Sequence, residues 1–218
     1  LGSSLGAKKV SSLLRADYKF TGEQAGDWAG YLISGGGDVD GDGLGDIIIG
    51  ANGDEGGKEA HASYVVLGKS LGAKGVYSLA KVDYKLIGEE KYDYASQVSL
   101  SGDVDGDGEK DIIIGARRNS DGGENAGQSY LILGKSLGST STIDLSQADY
   151  SFVGEDENDY SGVSVSGAGD IDKDGLDDII IGALYNDEGG GSSSSVVVVV
   201  SIGSDPDTAV DVSQPSPI

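Results

Sequence analysis

Acidic residues recur at fixed positions in three nine-residue segments of this chain. The segments read DVDGDGLGD from Asp38, DVDGDGEKD from Asp103 and DIDKDGLDD from Asp170. Four carboxylates within nine residues repel one another unless a cation lies among them. Acidic side chains at positions 1, 3 and 5, with glycine at 6 and a main-chain carbonyl at 7, form the first part of a calcium loop. The chemistry that these segments predict is therefore Ca²⁺ coordination.

The end of each segment differs from that of an EF-hand loop. An aspartate at position 9 replaces the glutamate that an EF-hand has at position 12. The apolar run IIIGA follows this aspartate in all three copies. A short apolar run bounded by turn residues is typical of a buried strand and too short for a helix. We expect each segment to be a calcium loop within a β-hairpin.

The three copies are alike well beyond these loops, which recur at intervals of 65 and 67 residues. Each loop is preceded by a Tyr-x-Phe/Leu-x-Gly-Glu segment and an aromatic residue, and each IIIGA run is followed by a turn rich in Gly, Asp and Asn. Every period thus contains four short β-runs and nothing of helical length. A four-stranded unit repeated at this period predicts a β-propeller blade. A string of independent β-hairpin modules is the alternative.

The loop, the IIIGA strand and the glycine-rich turn resemble the FG-GAP repeat of the integrin α-subunit β-propeller, a repeat also found in bacterial surface and secreted proteins. The resemblance covers residues 16–203. It implies an all-β fold of three four-stranded antiparallel blades, with one Ca²⁺ in each loop between the first and second strands. The ligands that it implies are the side chains of Asp38, Asp40, Asp42, Asp46, Asp103, Asp105, Asp107, Asp111, Asp170, Asp172, Asp174 and Asp178, with the main-chain carbonyls of Leu44, Glu109 and Leu176.

Two departures from the family pattern concern the loops and the flanking signatures. Lys173 stands at position 4 of the third loop, where the other loops have glycine, and we expect its side chain to point outward and to weaken that site slightly. The Phe-Gly and Gly-Ala-Pro signatures of the family are degraded in all three copies.

The phase of the repeat divides the chain into blades. We expect the end of a preceding repeat with an orphan outer strand in residues 1–22, blade 1 in 23–88, blade 2 in 89–154, blade 3 without its outer strand in 155–203, and a linker toward a next strand in 204–218. Three blades cannot close a propeller. The open propeller is therefore expected to be completed by a missing segment or by a partner chain, and head-to-tail pairing through the orphan strand would give a ring or a fibre.

Composition restricts the partners of the chain. The 218 residues carry a formal net charge of −22, which disfavours nucleic acid and anionic membranes as partners. Cysteine is absent, so no disulfide supports the fold. Stabilisation by metal in place of disulfides suggests an extracellular or cell-surface location. No apolar stretch is long enough to span a bilayer, and the absence of Met at position 1 suggests a processed chain or an excerpt of a longer one.

One recurrent pattern of the sequence resembles a catalytic motif but is not accompanied by the residues that catalysis needs. A Gly-x-Ser-x-Gly pattern occurs at 2–6, 68–72 and 134–138, but it follows a strand and precedes no helix, unlike a nucleophile elbow. His61 is the only histidine, so three such sites could not each have a base, and we expect it at the surface near a turn. Trp28, Tyr94 and Tyr160 share one phase of the repeat, which favours packing between blades. The chain is not expected to be an enzyme.

The function predicted from these features is a non-enzymatic, Ca²⁺-stabilised propeller segment of a secreted or cell-surface protein, acting in adhesion or extracellular assembly. Its expected partners are Ca²⁺, further blades of the same protein or another copy of the chain, and a cell-surface or matrix protein. Two alternatives remain: a structural subunit that polymerises into a fibre or ring by strand complementation, and an ancillary domain of a larger extracellular enzyme.

Overall fold

The computed structural model describes residues 12–53, 61–186 and 196–200, and within this part the chain is built of β-strands and short 3₁₀ turns without an α-helix. The strands are β1 (Tyr18–Thr21), β2 (Ala29–Gly37), β3 (Asp46–Asn52), β4 (His61–Val66), β5 (Gly75–Ser78), β6 (Tyr84–Ile87), β7 (Ala95–Gly102), β8 (Asp111–Ala116), β9 (Gln128–Ile132), β10 (Thr142–Asp144), β11 (Tyr150–Val153), β12 (Ser161–Gly169), β13 (Asp178–Ala183) and β14 (Val196–Val200). The all-β prediction is confirmed.

Each repeat forms an antiparallel sheet in which the IIIGA strand is central. Strands β3, β8 and β13 pair with β2, β7 and β12 on one side and with β4, β9 and β14 on the other. Strands β6 and β11 then add to β4 and β9 as fourth, antiparallel strands. All residues of β8 are buried, as expected for a central strand that has a neighbouring blade on each face.

The outer edge of a blade is more elaborate than four strands. Strand β10 pairs in parallel with β6, the fourth strand of the preceding repeat, and β5 pairs in the same way with β1. The connector between the third and fourth strands of one repeat therefore supplies a fifth strand to the blade before it. The strand predicted as an orphan in residues 1–22 has this partner from the next repeat.

Successive sheets pack face to face around shared apolar clusters. Ile48 and Val65 of blade 1 pack with Ile112, Ile114 and Ile132 of blade 2. Blades 2 and 3 share a second cluster of the same kind. These clusters join the three sheets in the manner of propeller blades, as predicted.

The glycine of the IIIGA run makes the close packing of the blades possible. A Cβ placed on Gly50 would lie 2.2 Å from the Ser96 carbonyl oxygen, and one placed on Gly115 would lie 2.0 Å from the Gly162 carbonyl oxygen. No side chain fits within these distances, because the first strand of the next blade crosses directly over the glycine. Glycine is thus required at Gly50 and Gly115 by the stacking of the next blade.

The valine run and the Gly-Lys-Ser segments both have structural roles in the blades. The valine run forms β14 and occupies the third-strand position of blade 3, and the Gly-Lys-Ser segments form 3₁₀ turns at Gly68–Ser70 and Gly134–Ser136. In the described part of the chain no helix is long and apolar enough to cross a membrane. The predictions made for residues 1–11, 54–60, 187–195 and 201–218 lie outside the described residues.

Candidate metal centres

The three acidic loops occupy equivalent hairpin connections. They join β2 to β3, β7 to β8 and β12 to β13, the position predicted for a calcium loop between the first and second strands of a blade. The register of each hairpin pairs the last residue of the first strand with the ninth loop residue: Gly37 with Asp46, Gly102 with Asp111 and Gly169 with Asp178. The three loops are hereafter loop 1 (residues 38–46), loop 2 (103–111) and loop 3 (170–178).

Carboxylate oxygens converge in every loop. In loop 1 the oxygens of Asp38, Asp40 and Asp42 lie within 4.8 Å of one another. In loops 2 and 3 the converging residues are those at positions 1, 3 and 9: Asp103, Asp105, Asp111, Asp170, Asp172 and Asp178. Asp46, Asp107 and Asp174 do not belong to these groups. The structure therefore assembles three of the four predicted side chains in each loop.

Main-chain N–H groups fold each loop around its first carboxylate. The amide of Gly43 donates to Asp38 Oδ2 at 2.7 Å, and the equivalent bonds run from Gly108 to Asp103 at 2.9 Å and from Gly175 to Asp170 at 3.1 Å. Such local bonds between an aspartate and the following backbone are a common way to stabilise a tight turn. They hold the first carboxylate facing the centre of the loop.

The ninth residue ties the loop to the rest of its blade. Asp111 accepts hydrogen bonds from the amides of Val104 at 2.7 Å and Gly134 at 2.9 Å. Asp46 accepts the equivalent pair in blade 1. Burial raises the pKa of Asp111 to about 6, against the lowering effect of its two amide donors, and burial likewise raises the pKa of Asp46. These carboxylates are therefore costly to ionise without a nearby cation.

Two buried carboxylate oxygens make loops 2 and 3 candidate sites for a hard cation. Asp103 Oδ1 and Asp178 Oδ1 are shielded from solvent and accept no hydrogen bond in the described structure, and Asp178 is only 1 % exposed. Buried oxygens of this kind normally have a partner. A set of donors made entirely of oxygen atoms is what Ca²⁺ prefers. The residues present thus fit a divalent calcium ion.

Two lysines near loops 1 and 2 were not singled out from the sequence as part of these centres. The ammonium groups of Lys69 and Lys135 contact Asp40 and Asp105, the third residues of the two loops. Both lysines lie on the 3₁₀ turns that follow the third strands. Each lysine belongs to one of the two GKSLG segments, 68–72 and 134–138, and this recurrence is the signal in the sequence that could have identified them.

At the opposite ends of the strands, buried aspartates organise a second set of turns. Asp93 and Asp159 are almost fully buried, and each accepts a hydrogen bond from an amide three residues earlier in the chain. Asn186 donates to Asp159 at 3.1 Å. Burial raises the pKa of Asp93 against its bond from Glu90. These aspartates directly precede Tyr94 and Tyr160, so their recurrence in the sequence was the signal for this second set of turns.

The prediction that His61 lies at the surface is wrong. Its ring is 1 % exposed and stacks on Tyr94 of the next blade with a centroid separation of 4.4 Å. The guanidinium group of Arg117 lies 4.5 Å from the centre of the same tyrosine ring. His61 begins a third strand that the next blade covers, so its burial follows from blade stacking, which local sequence does not reveal. Tyr94 packs between blades as predicted, whereas Trp28 is 60 % exposed.

The repeat itself matches a known family model. The FG-GAP repeat model aligns with residues 29–66, 94–132 and 161–199, which in each blade span the first strand, the acidic loop, the IIIGA strand and the third strand. The chain belongs to the FG-GAP repeat family. The resemblance predicted from the sequence is thereby confirmed, together with the assignment of the three sheets as FG-GAP propeller blades.

Individual relatives point in the same direction. The chain is 30 % identical to integrin alpha-5 of Xenopus laevis over 178 residues, which is 78 % of this chain and 16 % of the relative. It is 29 % identical to integrin alpha-V of Gallus gallus over 185 residues and 28 % identical to integrin alpha-PS2 of Drosophila melanogaster over 180 residues. The chain thus spans between 12 and 16 % of the length of these curated relatives.

Proposed function

We propose that this FG-GAP chain is a non-enzymatic propeller segment in which one Ca²⁺ stabilises each of three blades, and that it acts in adhesion or assembly at a cell surface or outside the cell. The observation that supports this most directly is the convergence of carboxylate oxygens in three equivalent hairpin loops. The unpartnered buried oxygens of Asp103 and Asp178 add to it.

The proposed coordination uses loop positions 1, 3, 5 and 9 through side chains and position 7 through its main-chain carbonyl. Binding would draw in the position-5 side chains of loops 2 and 3 and the ninth residue of loop 1, which stand apart from the converging groups. A carboxylate that already accepts two amide bonds, as Asp46 does, retains lone pairs for a cation.

The metal would act mainly on stability. Without a cation, each loop holds mutually repelling carboxylates, one of them buried against the sheet. A ligand that binds only the folded state stabilises it by RT ln(1 + [L]/Kd), which is about 2.7 kcal/mol per site at a hundredfold excess over Kd. We expect the full chain to unfold at a markedly lower temperature in EDTA than in CaCl₂.

Substitution tests the assignment loop by loop. Asp172→Asn neutralises the third residue of loop 3 and should remove about one third of the Ca²⁺-dependent gain in stability, measured by thermal unfolding in CaCl₂ and in EDTA. Glu157→Gln makes the same charge change at an exposed residue outside the loops and serves as the control. Identical melting curves with and without Ca²⁺ for the unsubstituted chain would contradict the proposal.

The adhesive role rests on the family and on relatives that are named as integrin alpha chains. Binding of immobilised extracellular-matrix proteins to the Ca²⁺-loaded chain, with the EDTA-treated chain as reference, tests it. Binding to none of them in Ca²⁺ would argue against adhesion and leave the metal assignment intact.

Strand complementation is a second candidate, favoured by the pairing of β1. This strand corresponds to the fourth strand of a blade, yet in the described part of the chain it pairs only with β5. Its other edge could therefore accept a strand from another copy. Sedimentation velocity in CaCl₂ tests this candidate: growth with concentration favours it, and a single species at all concentrations opposes it.

A further inference from the structure

Three basic side chains of blade 2 contact tyrosine rings at the end of the sheet opposite loop 2. Arg117 and Arg118 directly follow β8, which begins at the last residue of loop 2, and their guanidinium groups lie 4.5 and 4.9 Å from the centre of the Tyr94 ring. The ammonium group of Lys91 lies 4.7 Å from the centre of the Tyr92 ring. Lys91, Arg117 and Arg118 are hereafter the cationic cluster.

The cationic cluster is held in place by contacts between distant segments. The amide of Arg118 donates to the carbonyl of Asp93 at 3.1 Å, which joins the turn after β8 to the turn before β7. Tyr94, which contacts both guanidinium groups, stacks on the buried ring of His61 in blade 1. Side chains that are already ordered in this way lose less conformational entropy when they bind a ligand.

Carboxylates pair with lysines elsewhere in the chain but not with the cationic cluster. Five lysines each contact a carboxylate: Lys69, Lys74, Lys85, Lys110 and Lys135. Within residues 12–53, 61–186 and 196–200, no member of the cationic cluster forms an ion pair, although the chain has 37 acidic and 15 basic residues. The charge of the cluster is therefore available to a ligand.

The arginine pair is present in one blade and is not needed to build it. The two positions after the Gly-Ala of the central strand are Asn52-Gly53 in blade 1 and Leu184-Tyr185 in blade 3. In blade 3, Tyr185 contacts the recurrent aromatic ring of Tyr160 with 5.6 Å between the centroids. An uncharged pair therefore satisfies the same packing position. The two positive charges of blade 2 point to a role outside blade packing.

A cleft of about 500 Å³ opens beside the cationic cluster. Lys91, Tyr92 and Arg118 line it together with the polar side chains of Ser120 and Asn125. Carboxylates also line the cleft, those of the buried Asp93 and of the exposed Glu90, Asp121 and Glu124. These carboxylates repel a polyanion, but they can accept hydrogen bonds from the main-chain amides of a peptide. The mixed lining thus favours a single carboxylate that is carried by a peptide segment.

We propose that the cationic cluster binds one aspartate or glutamate side chain presented by an exposed loop of a partner protein. The inference rests on the proposed adhesive function, which it deepens by naming the chemistry of the partner. A guanidinium fork matches both oxygens of a carboxylate. Lys91 adds a point charge, and the ring of Tyr92, which is 47 % exposed, adds an apolar contact surface.

Titration of the full chain with short peptides, followed by NMR of the arginine side chains, tests the inference. The sequence contains three arginines, so the Nε–Hε signals of Arg117 and Arg118 can be compared with that of Arg15 as an internal reference. In CaCl₂, the peptide acetyl-Gly-Asp-Gly-amide should shift the signals of Arg117 and Arg118 and leave that of Arg15 unchanged. The uncharged analogue acetyl-Gly-Asn-Gly-amide should bind about tenfold more weakly, because a charge-assisted contact contributes about that factor.

Blade 3 supplies a matched double variant. Arg117→Leu with Arg118→Tyr gives blade 2 the residues that blade 3 has at these positions, so we expect the fold to be kept and affinity for the aspartate peptide to fall about tenfold. Line broadening of the peptide signals measures binding to this variant. Arg117→Lys with Arg118→Lys keeps both charges without the guanidinium fork and should retain part of the affinity. Lys81→Gln removes an exposed positive charge elsewhere and serves as the control.

Four outcomes would overturn the inference. Equal binding of the aspartate and asparagine peptides would remove the role of the carboxylate. A lower Tm of Arg117→Leu with Arg118→Tyr, with unchanged peptide affinity, would show a purely structural role for the arginines. Binding of dextran sulfate at the cationic cluster without a preference for the aspartate peptide would assign the cluster to polyanions. Matrix proteins that bind this double variant as tightly as the unsubstituted chain would contradict the inference and leave the adhesive function standing.

The opposite result separates the two proposals in the other direction. Selective binding of the aspartate peptide, lost in the double variant, would support the inference even if no immobilised matrix protein bound the chain in CaCl₂. In that case the adhesive function alone would be contradicted.

Discussion

Loops 1 and 2 differ from loop 3 in the burial of their second residue, although the three loop sequences are similar. Val39 and Val104 are fully buried and belong to the apolar clusters shared with the next blade. Ile171, at the same position in loop 3, is 54 % exposed. Loops 1 and 2 thus anchor their own blades to the blade that follows, through the apolar residue at position 2.

Position 4 shows the same contrast. Gly41 and Gly106 lie against the side chains of Glu109 and Leu176, whereas Lys173 stands at this position in loop 3 with a φ of 69°. No residue within the described ranges covers loop 3 in the way that loop 2 covers loop 1. The departure of Lys173 from the family pattern is therefore explained by the stacking of the loops. A side chain is tolerated at position 4 where no following loop rests on it.

The largest effect is expected from placing a charge at the second position. Val104→Asp buries an unpaired carboxylate between blades 2 and 3 and should reduce the free energy of unfolding by several kcal/mol, about 3–5. Ile171→Asp, the same change in loop 3, should alter it by less than about 0.5 kcal/mol. Denaturant unfolding in CaCl₂ measures both. Equal losses in the two variants would remove the distinction between the loops.

An intermediate effect is expected from the pH dependence of the buried ninth residue of loop 2. Because burial raises the pKa of Asp111 to about 6 in the folded state, the folded metal-free chain retains a proton there that the unfolded chain releases near pH 4. The contribution of this group to the free energy of unfolding should therefore fall as pH rises from about 4 to 6, by about 3 kcal/mol in all.

Asp111→Asn isolates this contribution. In EDTA the substituted chain should lose less stability than the unsubstituted chain across the same pH interval, as measured by urea unfolding at each pH. Parallel pH profiles would show that Asp111 is already ionised in the metal-free fold.

The smallest effects are expected at position 4. Lys173→Gly relieves a left-handed backbone conformation and should stabilise the chain by about 1 kcal/mol. Gly106→Ala introduces the same strain in loop 2 and also forces Leu176 to move, so it should destabilise by about 1–2 kcal/mol. Thermal unfolding of the two variants provides the comparison, and a stabilising Gly106→Ala would contradict the explanation of position 4.

Much of this architecture followed from local sequence. The IIIGA runs predicted central strands, the acidic loops predicted their hairpins, and the 65- and 67-residue spacing predicted blades. These features depend on residues close together in the chain, where periodicity and turn chemistry are informative. Convergence of the first and third aspartates in every loop follows from the same local geometry.

Other features depend on contacts between repeats and could not be read from one repeat at a time. The burial of His61, the lysine contacts to loops 1 and 2, and the position of Glu109 beside Gly41 all arise where distant segments meet. The parallel pairing of β10 with β6 was likewise missed, because a three-residue strand carries almost no periodic signal. Packing across blades decides these features, and local propensity does not.

The fifth strand has a consequence for the order in which the chain can fold. Strand β6 closes the outer edge of blade 1, but its last hydrogen-bonding partner is β10, which lies in the connector of the next repeat. During synthesis from the N-terminus, the outer edge of β6 lacks its β10 partner until most of the second repeat has been made. The outer edges formed by β1 and β6 are therefore completed only when the connector that carries β5 or β10 has been made.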